Sequence, residues 1–212
     1  MFFIDSDITI VRNWRFFEIW VYHGVALGAD VNFEGMSINH PMRGYWRTLL
    51  KEIQRPIREI SGYANSGFVG VTKEHIELIE VWNEAIHTYA KHRGGYTIRP
   101  RADQDFGFFT IDQDLLNAAI MGCDIPISLA GKEAMSLNGR VGWMLHSLGP
   151  KKPWHGAYLK DLILKGKKLG IGVDSFLEHT SEPIRVFAPF SRGVAKFEAA
   201  FTKFLSRILS AN

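Results

Sequence analysis

The most informative stretch of the chain is His146-Ser147-Leu148-Gly149-Pro150-Lys151-Lys152-Pro153-Trp154. Its residue types suit the binding of a metal ion and a phosphate. An imidazole can ligate a divalent metal ion, and a glycine lets the backbone approach a bulky anion. A lysine offers a compact positive charge, and the Pro-Trp pair is expected to stiffen the loop. A surface loop around one buried histidine is the simpler alternative.

A second informative stretch lies at the start of the chain, where the apolar run Phe2-Phe3-Ile4 leads into Asp5-Ser6-Asp7. Acids at the end of a strand are typical of the ligand-binding edge of an open α/β sheet. Side chains two apart on an extended segment share a face, so both carboxylates can reach one metal ion. Two aspartates that only close a turn explain the pattern without a metal.

Two further segments carry polar residues at the ends of predicted elements. Asn65-Ser66-Gly67 enters the apolar run 68–71, and Asp112-Gln113-Asp114 continues into Leu115-Leu116-Asn117. The second segment predicts a helix start, because acids favour the first turn of a helix. A turn that feeds an interior strand explains Asn65 and Gly67 nearly as well as a binding role.

These four segments, taken in order, resemble the DxD, N-[AS]-G, DQD-x-LN and HxxGxxKPW motifs of the retaining glycosyltransferases of family 8. That family includes glycogenin and the bacterial lipopolysaccharide galactosyltransferases. The resemblance extends over residues 1–156 and consists of motifs rather than of continuous similarity.

The resemblance implies a role for each matching residue. One Mn²⁺ ion would be held by the carboxylates of Asp5 and Asp7 and the imidazole of His146. Mg²⁺ would suit this site less well. Asn65, Gly149 and Lys152 would bind the donor, Asp112 would hold its sugar, and Gln113 would lie beneath the anomeric carbon. The implied activity is transfer of a hexose from a nucleotide-sugar, expected to be a UDP-hexose, to a glycan, lipid or protein acceptor that the motifs do not specify.

The fold that the resemblance implies is α/β, of the GT-A nucleotide-diphospho-sugar transferase type. In the family, several strand–helix units that contact the base and ribose precede the DxD motif. Here that motif begins at Asp5. We therefore expect a single domain over residues 1–212 that corresponds to the C-terminal portion of a GT-A fold, truncated at its N-terminus and with uncertain activity.

Hydrophobic periodicity predicts the main local elements. A helix is expected from about Lys73 to His92, with Thr72 as its N-cap. A helical stripe over residues 46–60 is interrupted at Pro56. Residues 12–45 lack a sustained period and are predicted to form loops with short strands, and 125–129 and 141–145 are strand candidates.

The last predicted helix covers residues 193–209 and is amphipathic. One apolar stripe faces away from lysines and is formed by Val194, Phe197, Phe201, Phe204, Leu205 and Ile208. This pattern favours a helix that packs onto the domain and closes it. An alternative is a surface helix that contacts a membrane peripherally.

Composition limits the class of protein. A net charge of +3 gives no reason to expect a nucleic-acid partner. The single cysteine, Cys123, cannot form an internal disulfide. The sequence contains no apolar run long enough to cross a bilayer, and its N-terminus does not read as a signal peptide. These features predict a cytoplasmic protein, with peripheral membrane contact as the alternative.

Two other functions compete with a transferase. A degenerate, non-catalytic binding module would keep the fold without the activity. A phosphatase of the haloacid dehalogenase type would use Asp5 as nucleophile and Asp7 as general acid. That class also needs a downstream acidic pair for Mg²⁺, which the sequence does not supply, and it leaves the HxxGxxKPW stretch unexplained.

Overall fold

The computed structural model describes residues 1–32, 35–92, 110–137, 142–147, 152–179 and 189–210. Within these ranges the chain forms two compact units. Unit 1 consists of Met1–Ile4 and Asn13–Lys132, and unit 2 consists of Asp5–Arg12 and Glu133–Asn212. The DxD segment therefore belongs to the same unit as the His146 stretch.

Unit 1 is built around a four-stranded mixed sheet. Its strands are β1 (Phe2–Ile4), β3 (Val25–Ala29), β4 (Ala64–Gly70) and β5 (Ile127–Ala130), in the order β1-β4-β3-β5. Strand β4 pairs antiparallel with β1 and β3, and β3 pairs parallel with β5. Strands β3 and β4 are buried along their whole length; β3 is a continuous apolar run, whereas β4 also buries the polar Asn65 and Ser66.

In the described part of unit 1, four helices accompany this sheet: α1 (Trp14–Trp20), α2 (Met42–Glu52), α3 (Glu77–His92) and α4 (Ile111–Met121). The prediction of loops and short strands over residues 12–45 is confirmed for the short strand β3 but was wrong for α1 and for the start of α2. A seven-residue helix is too short to display a helical period. Its buried Phe17 and Trp20 pack against Phe68 of β4, so tertiary contacts select the helix.

The predicted helices after α1 are confirmed with shifted ends. Helix α2 stops at Glu52, before Pro56, and the chain leaves it through Gln54 in the left-handed region at φ 55°. Residues 73–75 form a 3₁₀ turn ahead of α3, and the Thr72 side chain makes no capping hydrogen bond. Helix α3 packs against α4 through apolar side chains that include Leu78, Val81 and Leu115.

The described residues of unit 2 form a two-stranded antiparallel ribbon and three helices. Strand β2 (Ile8–Ile10) pairs with β6 (Met144–His146), with Ile8 opposite His146. The helices are α5 (Tyr158–Lys165), α6 (Ile171–His179) and α7 (Pro189–Ser210). Helix α6 contacts both strands of the ribbon, and α7 packs on α5 and α6.

The structure confirms a mixed α/β fold with helices and a mixed sheet. The single domain over residues 1–212 stays a prediction. Among the described helices, none has the length and apolar character needed to cross a membrane.

Candidate functional site

The DxD segment lies in a turn rather than in the extended segment that the sequence suggested. The backbone N–H of Ile8 donates to the carbonyl oxygen of Asp5 at 3.1 Å, which closes a four-residue turn around Ser6 and Asp7. The Ser147 N–H then bonds the Asp7 carbonyl at 3.1 Å and extends the β2–β6 pairing by one step. The turn and this pairing bring Asp7 beside His146.

Three metal-ligating side chains converge at this turn. The Nε2 atom of His146 lies 3.5 Å from Oδ1 of Asp7 and 3.9 Å from Oδ2 of Asp5. One ligand atom from each of the three residues lies within 4.8 Å of the other two. Within the described part of the chain, this is the one such group of histidine, cysteine and acidic residues.

The two separations from His146 fit a shared divalent metal ion. Two ligand atoms that each lie about 2.1 Å from one ion can be at most about 4.2 Å apart. The two measured separations from His146 Nε2 fall below that limit. The other ring nitrogen, Nδ1, is buried and has no hydrogen-bond partner among the described residues. Asp5, Asp7 and His146 could therefore hold a metal ion, with oxygen and nitrogen ligands that suit several divalent cations.

Lys152 adds a positive charge to the same group. Its Nζ donates to Oδ2 of Asp7 at 2.7 Å. Burial alone would raise the pKa of Asp7, which is 2% exposed, but contacts with His146 and Lys152 outweigh it and lower the pKa below its ordinary value. Asp7 is therefore held as a carboxylate near neutral pH.

The Pro-Trp pair fixes the backbone that carries Lys152. Lys152 is the N-cap of a 3₁₀ turn over Pro153–His155, in which proline occupies an early position that needs no N–H donor. The Trp154 ring packs against Phe176 of α6, with 5.7 Å between ring centroids. The backbone near Gly149, predicted to approach a phosphate, lies outside the described residues.

The other predicted site residues belong to unit 1 and form a hydrogen-bonded group there. The Ser66 N–H donates to Oε1 of Gln113 at 3.2 Å, and the Ser66 hydroxyl donates to Oδ2 of Asp112 at 2.8 Å. Gln113 is buried, whereas Asp112 is exposed. The first turn of α4 is thus tied to the Asn65-Ser66-Gly67 segment of β4.

An irregularity in the sheet makes this arrangement possible. Leu27 of β3 pairs with Val69, but the next residue, Gly28, pairs with Asn65. Residues 66–68 therefore bulge out of the β3–β4 ladder, which leaves the Ser66 N–H available to a side chain. Asn117 of α4 anchors the segment, because its amide bonds both the N–H and the carbonyl of Ala64 at 2.8 Å.

The sequence interpretation missed one acid in this group, Asp30. It follows β3 directly, is 5% exposed, and accepts a hydrogen bond from Nδ2 of Asn65 at 2.9 Å. Asp30 follows an apolar run, as Asp5 does, so the same sequence pattern could have identified it as a candidate. Asp30 also accepts from the N–H and the side chain of Asn32, which closes the loop after β3.

Comparison of the chain with models of known protein families, with curated proteins and with solved structures finds no match.

Proposed function

We propose that this chain is a metal-dependent retaining glycosyltransferase with a GT-A-like fold, acting on a nucleotide-sugar. The observation that carries the proposal is the meeting of Asp5 and Asp7 with His146 and Lys152, which lie about 140 residues later in the chain. A chance motif match would not require its metal-ligating and basic side chains to converge in one compact unit.

Departure of a nucleoside diphosphate from the sugar places negative charge on phosphate oxygens. A bound Mn²⁺ ion would supply electrostatic stabilisation of that charge. The chain's own residues provide two carboxylates and one imidazole to hold the ion, with Mg²⁺ as the less suitable alternative.

Lys152 is suited to stabilise the same phosphate charge through a direct contact. Its side chain is 36% exposed, so the ammonium can leave Asp7 for a phosphate oxygen without crossing a buried region. A charge-assisted hydrogen bond from an ammonium to phosphate would stabilise the leaving group further. Lys152 would thus neutralise Asp7 in the free protein and a phosphate in the complex.

For the residues of unit 1, the motif resemblance alone assigns a role with the donor sugar. The exposed Asp112 carboxylate can accept hydrogen bonds from sugar hydroxyls, and its contact with Ser66 holds it in place. Gln113 carries no ionisable group, so we propose that it steadies developing positive charge rather than attacks the sugar as a carboxylate nucleophile would. Asn65 would bind the donor, as the resemblance implies, and Asp30, which accepts from its amide at 2.9 Å, would hold it in place.

Thermal unfolding with ligands tests the binding half of the proposal. A ligand that binds only the folded state, at about 100 times its Kd, adds about 2.7 kcal/mol to the free energy of unfolding. Mn²⁺ with UDP should raise the melting temperature of the wild type and of the exposed-carboxylate control Asp124→Asn. Asp7→Asn and His146→Ala should lose this effect. A wild type that no UDP, GDP or ADP stabilises in the presence of Mn²⁺ would contradict the proposal.

Release of UDP from UDP-glucose or UDP-galactose tests the catalytic half. Loss of that release in Asp112→Asn and Gln113→Ala, with Mn²⁺–UDP binding kept, would support the assigned roles. Mn²⁺–UDP binding without any sugar transfer or hydrolysis would favour the non-catalytic module instead. Release of phosphate from p-nitrophenyl phosphate that Asp5→Asn abolishes would favour the phosphatase.

A further inference from the structure

Helix α7 packs onto unit 2 through small side chains. It buries the small side chains Ala195, Ala199 and Thr202, and the two alanines form a cluster with Tyr158 of α5 and Leu177 of α6. These residues follow one another at spacings of four and three, so they define one face of the helix. The face that anchors α7 to unit 2 is therefore its small-residue face.

The bulky apolar residues of α7 face outward instead. Phe197 is 74% exposed, Phe204 58% and Phe201 41%, and Val194 and Ile208 of the same stripe are also exposed. The rings of Phe197 and Phe201 stack on each other, with 6.3 Å between their centroids. A protein surface seldom carries such a contiguous aromatic stripe unless something covers it.

Basic residues flank the stripe. Lys196, Lys203 and Arg207 recur at spacings of seven and four, which places them along one side of the helix, between the buried face and the apolar stripe. Lys196 and Arg207 are exposed, and Lys203 pairs with Asp174. The one acid of α7, Glu198, is occupied, because its Oε1 accepts the Leu159 N–H at 2.9 Å.

The neighbouring helix α5 repeats this combination. Ile163 and Leu164 are among the most exposed apolar side chains of unit 2 and lie between Lys160 and Lys165. From Lys151 to the end, the chain carries eleven lysines and arginines against five acids, a net charge of +6 in 62 residues. The positive charge of the protein is thus concentrated in the segment that contains both helices.

We propose that α7 binds the surface of an anionic lipid bilayer, with its phenylalanine stripe inserted and its basic flank at the level of the lipid headgroups. Helices that lie in the membrane interface combine an apolar face with lysine and arginine beside it. Long basic side chains can lie along the apolar region and keep their charge in the headgroup layer. The small-residue face remains attached to the protein.

Charge and area favour lipid over a second copy of the chain. Facing α7 helices would bring basic flanks together, with no exposed acid on α7 to neutralise them. A stable protein–protein interface also uses about 20–30 residues from each partner, and α7 offers one stripe of five or six. An anionic bilayer satisfies both the apolar stripe and the positive charge.

Vesicle co-sedimentation of the full chain tests the proposal. Vesicles of phosphatidylcholine with about 30 mol% phosphatidylglycerol should bind the protein at low salt, and pure phosphatidylcholine should bind it much less. Phe197→Asp and Phe204→Asp should each lower binding at least tenfold. The matched control Tyr22→Asp replaces an aromatic side chain of unit 1 that is 79% exposed and should bind like the wild type. Lys196→Gln with Arg207→Gln should lower binding to the anionic vesicles by about fivefold per charge.

Circular dichroism would show whether each variant remains folded, since all the replaced side chains are substantially exposed. Failure of the wild type to bind either vesicle would overturn the proposal, as would equal loss of binding in the Tyr22→Asp control. The proposal would also be overturned if the protein binds no lipid but forms a dimer that Phe197→Asp dissociates. That result would show that a second copy of the chain covers the apolar stripe. The proposal does not depend on the transferase function, so Asp7→Asn should bind vesicles normally.

Discussion

The Nζ atom of Lys152 lies 2.7 Å from Oδ2 of Asp7, although 145 residues separate them in the sequence. The contact places an ammonium against a buried carboxylate that also faces His146. Because burial of an unpaired charge is costly, the ion pair lets Asp7 remain ionised in an environment that would otherwise favour its neutral form.

The first prediction concerns stability at acid pH. The pKa of Asp7 in the folded protein lies below its ordinary value, so its contribution to stability is present above about pH 4 and is lost as the pH falls through the folded-state pKa. Lys152→Met should raise that pKa and move the acid unfolding transition to higher pH. Urea unfolding as a function of pH measures the shift. The control Lys165→Met, which breaks only a surface pair with Asp161, should leave it unchanged.

The second prediction separates the two roles of Lys152. Removal of its charge leaves Asp7 free to interact with a cation, so Lys152→Met should bind Mn²⁺ alone more tightly. The same variant should bind UDP more weakly in the presence of Mn²⁺, because it loses a phosphate contact. Isothermal titration would measure both affinities. A variant that changes both affinities in the same direction would count against this exchange of partners.

The third prediction concerns Gly172 of α6, which lies against β6. A Cβ atom at this position would be 3.0 Å from both the His146 carbonyl oxygen and the Ser147 Oγ. Gly172→Ala should therefore displace β6, lower stability by about 1–3 kcal/mol and weaken Mn²⁺ binding through His146. Gly170→Ala is the control, since a Cβ there meets no atom within 4 Å. Equal stability and Mn²⁺ affinity in the two variants would show that α6 does not position the histidine.

The fourth prediction concerns Asn117, whose side chain bonds both backbone groups of Ala64. Asn117→Ala would leave a buried N–H and a buried carbonyl without these partners, at a cost of about 2–4 kcal/mol. Chemical denaturation would measure this loss. The exposed Asn13 also bonds a backbone N–H, that of Arg15, and Asn13→Ala should cost only about 1 kcal/mol, as N-cap replacements usually do.

The fifth prediction concerns Cys123. The thiol is buried, and burial raises its pKa to about 12, so almost none of it is thiolate at pH 8. A disulfide reagent should therefore react slowly with the native protein and rapidly after unfolding in guanidinium. Immediate stoichiometric reaction under native conditions would show that this part of the unit 1 core is open.

A helix was predictable from the sequence where its hydrophobic period is long or where acidic residues mark its first turn. The period of α3 and the acids at the start of α4 depend on residues close in sequence, so their positions were predicted to within a few residues. Short helix α1 was not predicted, because its helical state depends on the contact of Phe17 and Trp20 with Phe68. Asp30 was missed although the acid follows a strand, because its link to Asn65 arises only when β3 and β4 pair.

By itself, the sequence determined which residues share a face and which residue types could bind a metal ion or a phosphate. Only the tertiary structure decided that a turn, rather than an extended strand, brings Asp5 and Asp7 to His146. It also decided the orientation of α7, whose apolar stripe suggested an inward face but which packs through Ala195 and Ala199. The physical reason is the same in both cases: local periodicity fixes which side chains lie together on an element, but the partner of each face is set by contacts between residues far apart in the chain.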